Sequence, residues 1–237
     1  MKGLNQNDVR EFYNNIVDIW PENDIWFSYT KSQIWNYLHS YAFDADSYVL
    51  NAGSAGNTYD LPYNFHHVDI AHNQLKSVKN ATIASIEDMP FKANTFDGCI
   101  CVGSVINYCD AIAAISEMYR VLKPGGKIIL EFENSNSFEY RKADIYGVSS
   151  GIVTVNYRQT QHKQWLYSYK YIRKICNDFN ARIENVKFFH ILSSLKLANG
   201  QTENSASNYA KYDKLLEYIP FIKKHAGNII MSCRKLS

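Results

Sequence analysis

The feature that most constrains this chain is a rhythm between residues 48 and 132. Five short runs of β-branched and apolar residues, YVLN (48–51), FHHVDI (65–70), ATIAS (81–85), FDGCICV (96–102) and KIILEF (127–132), alternate with helical patterns and turn residues. Runs that are apolar on both faces imply buried, parallel strands. The best-marked helix lies before the fifth run. Asp110 can cap it, Ile112, Ile115, Tyr119 and Leu122 recur at i, i+3, i+7 and i+10, and Pro124-Gly125-Gly126 stops it. A second helix is predicted from Ser168, with Ile172, Ile175, Cys176 and Phe179 on one face, and a third carries Tyr209, Tyr212, Leu215, Leu216 and Ile219 before Pro220. Strands RIENVKFF (182–189) and GNIIMSC (227–233) follow these two. The pattern specifies a doubly wound, mostly parallel α/β sheet, whose ligand belongs at the carboxyl ends of the strands.

The flanks complete this frame. Residues 1–47 read as a helical cap, with Phe12, Ile16, Ile19 and Trp20 on one face and then Trp26, Tyr29, Ile34, Trp35 and Leu38. Residues 134–167, polar and then marked by Gly147, Gly151 and the alternating IVTVNY at 152–157, read as a β-hairpin or flexible insertion after the fifth strand. No linker or repeat divides the chain. One domain over 1–237 is expected, made of the cap (1–47), a core (48–133), the insertion (134–167) and the C-terminal half of the sheet (168–237).

Composition mainly excludes. The longest apolar stretches, such as GCICVGSVI at 98–106, fall far below the roughly 18 residues of a membrane span, and MKGLNQNDVREFY holds no apolar signal core, so no membrane span and a cytoplasmic location are expected. With 25 Lys+Arg against 23 Asp+Glu, the charge of +2 gives no reason to expect nucleic acid as a partner. Cys99, Cys101, Cys109, Cys176 and Cys233 form no C-x-x-C pair and read as reduced core thiols; His66, His67 and His72 lack a ligand pattern, so no metal is expected. The 18 tyrosines read as core material more readily than as a site.

Chemistry concentrates in three places. VLNAGSAGN (49–57) runs from a strand into a Gly53-x-x-Gly56 loop, where absent side chains would let a ligand reach backbone N–H groups, although alone it is equally a tight turn. Asp69 in HVDIA stands where an acid can accept both hydroxyls of a ribose, or can cap a helix beginning near His72. SIEDMPF (85–91) precedes the fourth strand; Ser85 and the Ile86 N–H would face an adenine edge, with Val102 and Gly103 ending that strand beside the glycine loop.

In these ordered motifs, together with RVLKPGGKIIL at 120–130, the chain resembles the class I S-adenosylmethionine-dependent methyltransferases of small-molecule type over roughly 48–133. The resemblance implies a seven-stranded, Rossmann-like sheet and S-adenosylmethionine as cofactor. It implies cofactor contacts from Asn51, Gly53, Ser54, Asp69, Ile70, Ser85, Ile86, Val102 and Gly103, with Tyr13 joining from the cap. Where the family pattern is acidic-x-Gly-x-Gly-x-Gly, this chain has Asn51, Gly53, Ala55 and Asn57; Asn51 keeps hydrogen-bonding capacity without the charge. About a dozen residues, interrupted by Pro62, separate Gly56 from Asp69, so the first crossover helix must be abbreviated, which also weakens a nicotinamide-dinucleotide reading. The implied activity is methyl transfer to an O or N atom of a small molecule, mainly by proximity and alignment. No catalytic residue is assigned: His162, His190 and Tyr13 qualify as bases by type only. An RNA or protein methyltransferase, and a degenerate member that binds the nucleoside without turnover, stand as alternatives.

Overall fold

The computed structural model describes residues 4–16, 19–21, 23–41, 43–157 and 160–236. Two helices, α1 (Gln6–Asn14) and α2 (Ile25–Ser40), precede the strands β1 (Tyr48–Ala52), β2 (Asn64–Asp69), β3 (Ala81–Ile83), β4 (Phe96–Cys101) and β5 (Leu122–Glu133). These five pair in parallel in the order β3-β2-β1-β4-β5. The sheet is completed by β9 (Asn228–Lys235), antiparallel to β5, and by β8 (Ala181–Phe189) at the edge. Between β5 and β8 stand a separate hairpin, β6 (Ser150–Tyr157) with β7 (Thr160–Tyr167), and helix α5 (Tyr169–Asp178). The seven-stranded, mostly parallel sheet and the hairpin insertion are as the sequence indicates.

Alternate residues of the central strands divide the core between two faces. Leu50, Cys99, Ile128 and Leu130 pack with Ile115 and Met118 of α4 (Ala111–Val121) and Ile172 of α5. Val49, Ile100, Ile129 and Ile230 pack with Ile34, Tyr37 and Leu38 of α2, joined by Tyr59, Leu61 and Tyr63 from the β1–β2 connection. Helix α2 is thus a layer of the sheet sandwich, and only α1 caps. The first crossover contains no helix at all; between β2 and β3 there is only α3 (His72–Leu75).

Asp110 caps α4 as expected, accepting from the N–H groups of Ile112 and Ala113. Ile112 itself is exposed, because the buried face runs through Ala111, Ala114, Ile115, Met118 and Tyr119. The helix predicted around 209–219 is not formed. Between β8 and β9 the chain makes α6 (Ile191–Ala198), α7 (Glu203–Ser207), a 3-10 turn (Ala210–Leu215) and α8 (Pro220–Lys223). Tyr212, Leu215 and Ile219 face solvent while Asp213 turns inward, its carboxylate accepting the Ile191 and Leu192 N–H groups that open α6. A buried cap for a helix start overrides apolar spacing there. All five cysteines are buried free thiols.

Candidate functional site

The carboxyl ends of β1, β2 and β4 and the loops that follow them enclose a cavity of about 90 Å³ under α1. Gly53, Ser54, Asp69, Ile70, Ser85, Ile86, Val102, Gly103 and Tyr13 all line it. Asn51 does not. Its side chain is buried beneath the loop, and Nδ2 donates to the Asn57 carbonyl at 2.6 Å, so the residue closes the loop rather than meeting a ligand.

The loop is built differently from the sequence expectation. Its amides are used internally: Gly53 and Ser54 N–H donate to the Val68 carbonyl, Ala55 N–H to Asp69 Oδ2 at 2.9 Å, and Gly56 N–H to Ser54 Oγ. Nor do the glycines make room for a ligand. A Cβ on Gly53 would lie 2.3 Å from Val105, and one on Gly56 2.6 Å from Val78, both at positive φ. These positions demand glycine for backbone conformation and close packing. Asp69 is engaged by backbone on both sides: Oδ2 accepts from Ala55 N–H and Oδ1 from Ala71 N–H, each at 2.9 Å, and since Ala71 is itself the N-cap of α3, the helix has no side-chain cap. Each oxygen keeps a second lone pair, and the carboxyl still lines the cavity. Burial raises its pKa, with the backbone donors opposing the shift.

Helix α1 roofs the cavity with Gln6, Val9 and Tyr13, the i, i+3, i+7 face. It is fastened at both ends: Gln6 Nε2 donates to the Tyr108 carbonyl at 2.9 Å, and Gln74 Nε2 to the carbonyls of Tyr13 and Ile16 at 2.8 and 2.6 Å. Helix α1 ends at Asn14, so Ile19 and Trp20 reach the cavity from the segment after it instead of sharing its face.

A second cavity, about 170 Å³, adjoins the first and shares Tyr13, Ile19, Trp20, Gly103 and Tyr108 with it. Its far wall comes from α2 (Trp26, Phe27, Thr30), the end of β5 (Glu133), the 3-10 turn at Phe138–Tyr140, the hairpin (Val155, Asn156, His162, Gln164) and α7 (Glu203). Glu133 accepts from Gln164 Nε2, and His162 Nε2 lies 2.7 Å from the Tyr108 hydroxyl. Burial, with Glu139 and Glu131 nearby, pushes Glu133 up to about 8; surrounding protein atoms and then Glu203 raise Glu139 as well, although that residue keeps exposed surface. His162 is held below its usual pKa by burial. His190 is not in either cavity wall; it is wholly buried behind Trp26, stacked at 3.7 Å.

Sequence reasoning missed the residue that ties the two cavities together. Glu131, fully buried in β5, accepts from Gly103 N–H at 2.9 Å and Ser104 N–H at 2.7 Å through Oε2, and from Asn228 Nδ2 at 2.8 Å through Oε1. Its one sequence signal is an acid inside the apolar run IILEF. Ser104 stands at φ 58 and Gly103 at φ 81, and the carboxylate holds this left-handed corner in place. Glu133, Glu139 and Glu203 carried no local signal.

The lining could hold S-adenosylmethionine: the Asp69 carboxylate could accept from two ribose hydroxyls, Ser85 and Ile86 could meet an adenine edge, and Ile70, Ile86, Val102 and Val105 offer apolar walls to a flat base. No helix among the described residues is long and apolar enough to cross a membrane, and no three His, Cys, Asp or Glu side chains among them are grouped to hold a metal ion.

A family model for a methyltransferase domain matches residues 49–130. An uncharacterized protein of Methanocaldococcus jannaschii is 36% identical over 98 residues, covering 39% of this chain and 43% of that one. A ubiquinone/menaquinone biosynthesis C-methyltransferase of Geotalea daltonii is 44% identical over 54 residues, covering 22% of this chain and 23% of that one. The chain therefore spans less than half the length of either of these curated relatives. Among solved structures, the [4+2]-cyclase SpnF superposes with a TM-score of 0.63 at 14% identity, over 100% of this chain and 99% of that one.

Proposed function

We propose that the chain, whose residues 49–130 match a methyltransferase-domain family model, is a class I S-adenosylmethionine-dependent methyltransferase that methylates an O or N atom of a small molecule held in the second cavity. Two adjoining cavities that share one wall support this reading: the first carries the cofactor-type donors, and the second opens beyond Tyr13, Trp20, Gly103 and Tyr108. Bound S-adenosylmethionine supplies a methyl group already activated on a sulfonium. The protein's part is placement and exclusion of water. Asp69 and Ser85 hold and orient the nucleoside, α1 closes over it, and Glu131 holds the Gly103–Ser104 corner against which both ligands lie.

The acceptor wall argues against nucleic acid, because Glu133, Glu139 and Glu203 line it and no Lys or Arg does among the described residues. The likeness to the cyclase concerns the fold alone, so methyl transfer needs its own test. Calorimetry with S-adenosylhomocysteine and NAD is expected to give micromolar binding of the first and none of the second, and incubation with labelled S-adenosylmethionine and a small-molecule extract is expected to label a product. NAD binding without S-adenosylhomocysteine binding would end this reading; tight cofactor binding with no product from any acceptor pool would favour the non-catalytic alternative.

A further inference from the structure

The second cavity has a chemistry of its own. Its carboxylates come from three separate segments, Glu133 at the end of β5, Glu139 in the 3-10 turn and Glu203 at the start of α7, yet all face one space. None of the three makes an ion pair among the described residues. Glu133 is half-buried while Glu139 and Glu203 keep exposed surface, and the Glu139 carboxylate accepts no hydrogen bond from any described residue. Trp20, Trp26, Phe27 and Tyr140 line the same space, and aromatic rings attract organic cations. An anionic acceptor would meet like charges, and a neutral one would gain no attraction from them.

We propose that the acceptor is an organic amine that enters as its ammonium ion, with its charge met by Glu139 and Glu203 and its proton taken up by Glu133. This rests on the methyltransferase reading above. The ammonium nitrogen gives a proton to a Glu133 carboxylate oxygen and keeps the electron pair. That pair forms the N–C bond as the methyl–sulfur bond breaks with its own pair left on sulfur. Charge passes from the sulfonium to the methylated nitrogen, so the carboxylates face a cation before and after.

The titrating neighbours agree with this assignment. Glu131 on the same strand, Glu139, Glu203, Tyr13, Tyr108, Tyr140 and His162 surround Glu133, and none of them supplies a positive charge near neutral pH. All three carboxyl groups are raised, and an entering ammonium favours their charged forms and displaces protons from them.

The test uses the full chain saturated with S-adenosylhomocysteine and three probes of similar size: phenethylammonium, 2-phenylethanol and 3-phenylpropionate. In calorimetry near neutral pH the ammonium is expected to bind about tenfold or more tighter than the alcohol, as hydrogen bonds to a charged group should give, and the carboxylate not measurably. Repeating the titration in buffers of different ionisation enthalpy should show proton release with the ammonium and none with the alcohol. The double variant Glu139→Gln with Glu203→Gln is expected to lose about tenfold in ammonium affinity while keeping its affinity for S-adenosylhomocysteine and the alcohol. Equal binding of alcohol and ammonium, preferred binding of the carboxylate, or magnesium-dependent binding of phenethyl phosphate would each overturn the assignment while leaving methyl transfer standing. No binding of S-adenosylhomocysteine to the parent protein would overturn both.

Discussion

His190 sets the acid limit of the acceptor wall. Its ring is wholly buried, stacked on Trp26 at 3.7 Å, with Thr30 Oγ1 and Ser193 Oγ each 2.9 Å from a ring nitrogen. Burial lowers its pKa from 6.5 to about 3. The depressed value fixes the sign: between those two pH values the unfolded chain binds a proton that the folded one refuses, so stability is full above pH 6.5 and falls as pH drops toward 3. At pH 5 the unfolded imidazole lies about 1.5 units below its pKa, and the loss is about 2 kcal/mol. Glu133, Glu139 and Asp213, all raised, titrate with the opposite sign, so the parent protein's curve alone does not isolate His190. Comparison with His190→Asn does. Asn tolerates the left-handed backbone at this position, where φ is 57. The variant is expected to be about 2–4 kcal/mol less stable than the parent at pH 8, from lost packing on Trp26, with the gap narrowing by about 2 kcal/mol at pH 5. Urea unfolding at the two pH values, followed by ellipticity, measures both gaps. A gap that changes by less than about 0.5 kcal/mol would refute the account of His190 as a buried neutral imidazole.

Four further outcomes are expected. Asp69→Ala should weaken S-adenosylhomocysteine binding by about 1.5–3 kcal/mol and also destabilise the fold by about 2–3 kcal/mol, since the Ala55 and Ala71 N–H groups lose their acceptor; unchanged affinity in a folded variant would remove Asp69 from the site. Asn51→Asp should destabilise by about 1–3 kcal/mol in thermal unfolding, because a carboxylate oxygen would replace the donor that meets the Asn57 carbonyl; a more stable or tighter-binding variant would show the loop closes some other way. Glu131→Ala strands three donors, two part-buried N–H groups and the buried Asn228 amide, and should cost roughly 3–5 kcal/mol, with Glu131→Gln milder and both loosening cofactor binding through Gly103. Shortening the hairpin, which lines only the second cavity, should reduce acceptor turnover far more than S-adenosylhomocysteine affinity; equal losses would place the hairpin in the cofactor site.

The sequence by itself determined the strands, the Asp110 cap, the order of the motifs and nine of the twenty residues that line the first cavity. These rest on local facts: the period of apolar residues, the backbone freedom of glycine, and an acid at the end of a strand, which parallel topology brings to the carboxyl edge. Tertiary structure alone decided what each group does there. Asn51 and the loop amides looked available to a ligand, but their partners, Asn57, Val68 and Asp69, are supplied by chain folded back upon the loop. The apolar spacing at 209–219 was real, yet burying Asp213 to cap α6 outweighed burying Tyr212 and Leu215. Glu133, Glu139 and Glu203 form a cluster only because a strand end, a turn and a short helix meet around one cavity. Periodicity records which face of an element is apolar; it holds no record of which distant acid will share a cavity, because that depends on contacts between segments up to seventy residues apart.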